Sequence, residues 1–353
     1  MDFDLNDTQR ELRDVARGFL EREAPIGYAR RMMDDERGFE DGVWKQMADL
    51  GWMALPFAEE HGGLGLGFIA QVILLIEMGR VVLPGPYLST VVLAGSAIAL
   101  GGDERQRAAL LPGIADGSTI ATLAEHGTVT AESSAATSES GALSGEQRFV
   151  IDGLLADPVV TIADAALFIA EPAARRRVEW MDLTRPVADL RFERAPGERL
   201  ASSSEAVVDA VLDRAAVALA AEMLGAAERV LELTVDYAKQ REQFGRPIGS
   251  FQAVKHRCAD MLVDVESLRN AVYYAAWAIE RGAPDASLAA SVAKAAACEL
   301  AVRTCKSGIQ VHGGIGFTWE SDMHLFLKRC KANEVLFGDA THHRERVARL
   351  IRR

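Results

Sequence analysis

Cysteine is scarce in this 353-residue chain: Cys258, Cys298, Cys305 and Cys330 are the only four, and all lie in the C-terminal third. They form no C-x-x-C pair, and no histidine stands at zinc-finger spacing. A disulfide framework and a metal constellation are therefore not expected, and the thiols read as core residues of a reducing cytosol. Basic charge is also in deficit, with 39 Lys and Arg against 51 Asp and Glu for a formal charge of -12. Nucleic acid and anionic membrane are thus poor candidates as main partners, and any anionic ligand must be held by local cations. No apolar run approaches the roughly 20 residues that span a bilayer. Met1-Asp2-Phe3-Asp4 is acidic where a signal peptide would be basic, which leads us to expect a cytoplasmic protein.

What is present is helical periodicity. From Thr8 to Glu23, Leu12, Val15, Ala16, Phe19 and Leu20 recur on one face. Similar patterns run from Gly42 to Gly51 and from Phe68 to Val82, separated by Gly62-Gly63-Leu64-Gly65-Leu66-Gly67. That loop is a weak nucleotide signal, since no strand precedes it and its spacing is not G-x-G-x-x-G. Near Asp116 the composition shifts to Ser, Thr and Gly with short β-branched runs, such as Phe149-Val150-Ile151 and Val159-Val160-Thr161-Ile162. Long helical patterns return over Glu205 to Gln240, Phe251 to Arg281 and Ala286 to Gln310, with Ser250 and Asp285 as expected N-caps. The chain is therefore expected to be mostly α with a small β domain: a helical domain over 1–117, a shortened β domain over 118–201, and a C-terminal four-helix bundle over 202–353.

Two segments carry specific chemistry. In Arg241-Glu242-Gln243-Phe244-Gly245-Arg246-Pro247-Ile248-Gly249-Ser250-Phe251-Gln252, a forked cation ends a long helix beside an aromatic side chain, an arrangement suited to a pyrophosphate joined to a ring. In Gln310-Val311-His312-Gly313-Gly314-Ile315-Gly316-Phe317, the glycines let backbone approach a phosphate or ribose, and Gln310 offers donor and acceptor together. The alternative reading is that these residues end and cap helices, with Phe244 as a core staple.

The two segments resemble the Arg-x-x-Phe-Gly-x-x-(Ile/Leu)-x-x-x-Gln and Gln-x-x-Gly-Gly-x-Gly-(Phe/Tyr) patterns of the acyl-CoA dehydrogenase family, at that family's spacing. The resemblance implies an acyl-CoA dehydrogenase-like fold and FAD held by Arg241, Phe244, Gln310, Val311, His312, Gly313 and Gly314. It also implies an acyl-CoA substrate, electron-transfer flavoprotein as the electron acceptor, and an oligomer in which the arginine segment reaches the FAD of a neighbouring subunit. In Gln147-Arg148-Phe149-Val150-Ile151-Asp152-Gly153, Phe149 takes the position of the aromatic residue that the family packs on its flavin, the alternative being an ordinary core Phe on a strand. The family loop Thr-Glu-Pro-x-x-Gly-Ser-Asp is reduced to Leu123-Ala124-Glu125-His126-Gly127.

The chain departs from the family at the general base that removes the α-proton. At the two positions where the family places a carboxylate, this sequence has Phe337, before Gly338-Asp339-Ala340, and Ala215, within Asp213-Arg214-Ala215-Ala216. Glu222, in the apolar stretch Leu219-Ala220-Ala221-Glu222-Met223-Leu224, is the candidate substitute, since a desolvated carboxylate can have a pKa raised to suit a base. Asp339 is expected to cap the last helix, with His342 and His343 on that helix's solvated surface and His312 packed within its loop. The expected function is FAD-dependent α,β-dehydrogenation of an acyl-CoA thioester. This chain would act alone or as the FAD-binding companion of an active chain, as in two-chain sterol dehydrogenases of actinobacteria. The alternatives are a non-catalytic flavin-binding or scaffolding subunit, and a flavoprotein oxidising a different substrate.

Overall fold

The computed structural model describes residues 5–133 and 140–352, so the acidic segment 1–4 lies outside it. Six helices come first: α1 (Asp7–Glu23), α2 (Ile26–Met32), α3 (Asp41–Asp49), α4 (Gly67–Arg80), α5 (Gly95–Gly101) and α6 (Glu104–Ala115). Seven strands follow: β1 (Thr122–Ala124), β2 (Gly127–Ser133), β3 (Ser140–Ile151), β4 (Val159–Ala163), β5 (Ala166–Ala170), β6 (Ala174–Val178) and β7 (Val187–Arg199). The remainder is α7 (Glu205–Gln240), the short strands β8 (Glu242–Gln243) and β9 (Arg246–Pro247), then α8 (Gln252–Arg281), α9 (Ala286–His312), α10 (Met323–Val335) and α11 (Ala340–Ile351). Helical N- and C-terminal parts thus flank a β middle, as the sequence pattern implies. No helix among the described residues is long and apolar enough to cross a membrane.

The chain divides into two compact units. The first comprises residues through Ala29, Val72–Leu83 and residues from Ala216 onward. Its tightest crossing is between α4 and α7, where each helix brings a glycine. A Cβ on Gly225 would stand 1.8 Å from the Ile76 carbonyl oxygen, and one on Gly79 would stand 2.1 Å from that of Glu222. Only bare backbone permits that approach. Charged side chains close one flank: Arg17 donates twice to Glu77, at 2.9 and 2.8 Å, and Arg80 donates to Glu228 at 3.2 Å and to Glu232 at 2.7 Å. Helix α9 packs against α8, α10 and α11, and it is rich in alanine where neighbouring helices come close.

Helix starts in this unit differ in part from expectation. Ser250 is not the cap of α8, because Phe251 holds the N-cap position without a side-chain bond. Asp285 holds the N-cap position of α9, but its carboxylate accepts from the Tyr274 hydroxyl instead of capping the backbone. Asp339 does cap α11, accepting from the His342 N–H at 2.8 Å. His343 is buried rather than solvated, and only His342 faces water.

The second unit comprises Arg30–Gln71 and Pro84–Ala215. Its sheet runs β1-β4-β5-β7-β3-β2, with β6 added to β7. Alternate residues such as Leu143, Val150, Leu190 and Phe192 fill one face. The glycine-rich loop before α4 spends its amides on its own chain: Leu64 donates to Ala54, Gly65 to Phe57 and Leu66 to Leu55, at 2.8 to 2.9 Å. A Cβ at Gly63 would lie 2.0 Å from the Phe57 carbonyl oxygen, so the glycines serve this close turn.

Candidate functional site

Within the first unit, the helix that leads into the Arg241 segment meets the Gln310 segment through one aromatic pair. The Tyr237 ring, on the last turn of α7, stacks on the His312 ring at the end of α9, with centroids 4.3 Å apart and planes 19° apart. His312 Nδ1–H donates to the Gly308 carbonyl at 2.8 Å, which fixes the orientation of the ring. Gly308 is itself needed, since a Cβ there would meet Val230 and Thr234 of α7 at 2.6 and 2.9 Å. Close helix packing and one stack thus hold the C-terminal ends of α7 and α9 side by side.

Beyond α7 the chain makes a two-stranded hairpin whose tip, Phe244-Gly245, has two consecutive positive φ angles, +55° and +76°. This is the backbone of a primed turn, where asparagine or glycine is the usual occupant. Phe244 is 93% exposed, so it is not the core staple that the sequence also allowed. The Phe244 ring meets the Phe251 ring edge-on, with centroids 6.1 Å apart, and presents the rest of its surface to solvent. Arg241, at the base of this hairpin, is exposed, and its guanidinium makes no hydrogen bond or ion pair among the described residues.

At the end of α9, Gly313 ends the helix with φ +66° and ψ -141°, and nothing lies within 4 Å of a Cβ built on Gly313 or Gly314. Gly316 differs, because a Cβ there would meet the Ile309 carbonyl oxygen at 2.7 Å. The first two glycines therefore face open space while the third is required by packing. Gln310 is exposed beside them, and Val311 is half-buried. A guanidinium without a partner and open backbone can each donate to a phosphate, and an exposed aromatic side chain can cover a ring.

In the second unit, Phe149 sits where the pairing of β3 with β7 slips between Gln147 and Val150. Its φ is +52°, its N–H donates to Asp189 Oδ1 at 3.2 Å, and the bulge leaves it 40% exposed rather than in the core. The His126 ring lies 6.4 Å from the Phe149 ring. The sequence reading passed over Arg214 in this unit. Its guanidinium lies 5.8 Å over the Phe68 ring and donates to the Ala210 carbonyl at 3.2 Å, and burial pushes its pKa down against the pull of Asp213.

Ala215 is fully buried within α7. Phe337 lies in the turn between α10 and α11, with φ +54° followed by Gly338 at +94°. Two side chains hold that turn by its main chain. His343 Nε2–H donates to the Phe337 carbonyl at 3.0 Å, and the fully buried Lys294 ammonium donates to the carbonyls of Gly338 and Glu334 at 2.7 and 3.2 Å. Burial lowers the pKa of Lys294 and pushes that of His343 down to about 4. Glu222 is 3% exposed; it accepts from the Asn333 amide at 3.0 Å and faces the fully buried Arg329 at 4.0 Å. Among the described residues one group has metal-ligand character, Glu60, His61 and Glu104. His61 Nε2 lies 3.7 and 3.8 Å from the two carboxylates, which are exposed.

Residues 6–118 match the acyl-CoA dehydrogenase N-terminal domain, and residues 206–351 match the C-terminal domain. A helical fold with a β middle and these two segments defines an oxidoreductase of the CH–CH type, and the chain belongs to the acyl-CoA dehydrogenase family. The acyl-CoA dehydrogenase IpdE2 of Mycobacterium tuberculosis is 36% identical over 331 residues, covering 92% of this chain and 91% of that protein. Among solved structures, the Tcur3481-Tcur3483 steroid ACAD aligns with a TM-score of 0.90 at 32% identity over 98% of both chains. The ChsE4-ChsE5 complex of Mycobacterium tuberculosis aligns with a TM-score of 0.92 at 28% identity, over 100% of this chain and 99% of that one.

Proposed function

We propose that the chain binds FAD and serves the α,β-dehydrogenation of an acyl-CoA thioester as the flavin-binding companion of a second, related chain that supplies the general base. The observation that carries this reading is the pairing of an exposed, unpartnered Arg241 and open Gly313 and Gly314 with residues that cannot move a proton at both family base positions. Arg241 and Gln310 would hold the pyrophosphate and ribose part of one FAD, with Phe244 covering apolar surface beside it. Phe149 would present an aromatic face to a flavin ring. In an oligomer these surfaces serve FAD molecules of different subunits. When bound, FAD supplies the acceptor for the hydride leaving Cβ. Two of the similar structures are described as two-chain pairs, which supports a hetero-oligomer. Electron-transfer flavoprotein is the acceptor this reading calls for, and a cytoplasmic setting suits four free cysteines.

A homomeric enzyme with Glu222 as base is disfavoured, because that carboxylate is already engaged in the helix crossing. The non-catalytic scaffold remains the rival, since Phe337 and Ala215 serve it equally well. The test is FAD titration of the purified chain followed by anaerobic addition of acyl-CoA. The wild type is expected to bind FAD, and Arg241→Ala to bind it about ten- to a hundredfold more weakly, the loss of one charge-assisted bond. Bleaching is expected only with the companion chain present. A chain that takes up no FAD removes the proposal, and FAD that is never bleached in any two-chain mixture leaves the scaffold.

A further inference from the structure

One buried imidazole in the second unit makes no hydrogen bond at either ring nitrogen. His61 ends a 3₁₀ turn, Glu59–His61, and its side chain is 4% exposed. Its Nδ1 is enclosed without a partner, and its Nε2 lies 3.7 Å from Glu60 Oε1 and 3.8 Å from Glu104 Oε1. A charge-assisted N–H···O bond is about 2.7 to 2.9 Å long, so neither carboxylate is a hydrogen-bond partner. Withdrawing such a ring from water is costly unless Nε2, the nitrogen that is not enclosed, gains a bond.

Local structure fixes the two elements that bring these groups together. The His61 N–H donates to the Ala58 carbonyl at 3.0 Å, and Gly62 then turns the chain with φ +80°. Gly62 lies against α6, where a Cβ would stand 3.8 Å from that of Ala115. Helix α6 starts in a capping box: the Asp103 carboxylate accepts from the Gln106 N–H at 2.8 Å, and the Gln106 side chain accepts from the Asp103 N–H at 3.1 Å. Glu104 is thereby held on the first turn, where Arg107 reaches its Oε2 at 3.5 Å and leaves Oε1 toward His61. The three ligand atoms fall within 4.8 Å of one another. Two atoms each about 2.0 to 2.1 Å from one zinc ion stand roughly 3.3 Å apart at the tetrahedral angle and farther apart at wider ones. Both carboxylates are exposed and can swing the remaining distance, whereas the imidazole is held by its burial.

We propose that Glu60, His61 and Glu104 bind a divalent first-row transition cation of the zinc class, with water completing the coordination. One imidazole nitrogen and two carboxylates are a mixed donor set, whereas calcium and magnesium ask for oxygen alone. The bound ion ties the 3₁₀ turn that precedes the glycine-rich loop to the start of α6. It is a structural clip, and it uses none of the residues assigned to FAD.

The test is zinc titration of the full chain, stripped with EDTA and exchanged into chelator-free buffer, followed by calorimetry and by thermal unfolding. It compares the wild type with Glu60→Gln, Glu104→Gln and the double variant. Glutamine keeps the shape of each exposed side chain, so these variants avoid the risk to folding of replacing buried His61. The wild type is expected to bind zinc and to melt about 5 °C higher at free zinc a hundredfold above Kd. Each single variant should bind about ten- to a hundredfold more weakly, and the double variant should lose the melting shift. Calcium and magnesium at the same concentrations should leave the melting temperature unchanged. A wild type without a zinc-dependent shift would overturn the proposal and leave His61 in an ion pair with the two glutamates. A double variant that binds zinc as tightly as the wild type would overturn it as well, since the ion would then sit elsewhere on the chain. An equal shift with calcium would reject the mixed donor set.

Discussion

Replacing Glu222 by glutamine is expected to cost stability rather than chemistry. The carboxylate lies where α7 crosses α4 so closely that its own main-chain oxygen would sit 2.1 Å from a Cβ on Gly79. From α10, Asn333 donates to it at 3.0 Å, and the guanidinium of Arg329, itself bonded to the Leu83 carbonyl at 3.2 Å, faces it at 4.0 Å. Glutamine keeps the shape and can still accept from Asn333, so what is lost is the buried negative charge opposite Arg329. Breaking one side of a buried pair typically costs about 3 to 5 kcal/mol. At roughly 2 °C per kcal/mol for a chain of this size, the melting temperature should fall by about 6 to 10 °C.

The assay is thermal unfolding at pH 7 of Glu222→Gln, Arg329→Met and the double variant, with flavin reduction measured alongside. The double variant should recover part of the loss, because a buried pair replaced as a whole is often close to neutral. If Glu222→Gln melts with the wild type and yet abolishes flavin reduction by acyl-CoA, the carboxylate is a base and this reasoning is refuted.

Four further outcomes follow from the structure. His343 donates through Nε2, and its Nδ1 is enclosed without a partner, so protonation places a buried N–H against no acceptor. With a folded pKa of about 4 against 6.5 ordinarily, the unfolded state binds more protons in between, and stability should fall as pH drops from about 6.5 toward 4. Melting at pH 7 and pH 5 should show a smaller fall for His343→Gln, and equal falls would reject the assignment. Lys294→Met should lose about 2 to 4 kcal/mol near pH 7 as two carbonyls lose their donor. Because burial lowers the Lys294 pKa from 10.5, the wild type alone should gain stability as pH rises toward that value, which urea unfolding at pH 8 and pH 10 will test. Gly225→Ala would drive a Cβ to 1.8 Å from the Ile76 carbonyl oxygen and should prevent folding or cost well over about 3 kcal/mol. Gly314→Ala, with open space around it, should melt with the wild type while weakening FAD, and a drop in its melting temperature would show that the glycine is structural.

The sequence made legible whatever depends on local pattern. The long helices follow from apolar periodicity, the β middle from β-branched runs, and the Arg241 and Gly313 segments from residue types at short spacing. What it hid depends on partners far along the chain. Glu222 reads as an apolar-surrounded base because Asn333, which engages it, lies 111 positions away. Phe149 reads as either core or ligand-facing, and only a slip in pairing with β7 decides for exposure. Phe244 could pass for a core residue until two consecutive positive φ angles put it at a hairpin tip. His343 looks like a surface residue on a polar helix, yet the carbonyl it bonds belongs to the turn before that helix. A lysine set among alanines, Ala293-Lys294-Ala295, was the one available sign of a buried cation.

That turn also explains how a chain of this family can lack a carboxylate there and keep its shape. Residues 336–339 pass through two successive positive φ angles, and a bulky side chain in the first costs on the order of 1 to 2 kcal/mol. The restraint comes from Lys294 on α9 and His343 on α11, and both act on carbonyl oxygens. Neither bond depends on the side chain carried by residue 337. A catalytic carboxylate at that position would be held by the same two bonds that hold Phe337, so its loss removes a proton acceptor without loosening the backbone. The backbone conformation at residue 337 and the identity of its side chain are separable, and for that reason the absence of a carboxylate there does not argue against the fold.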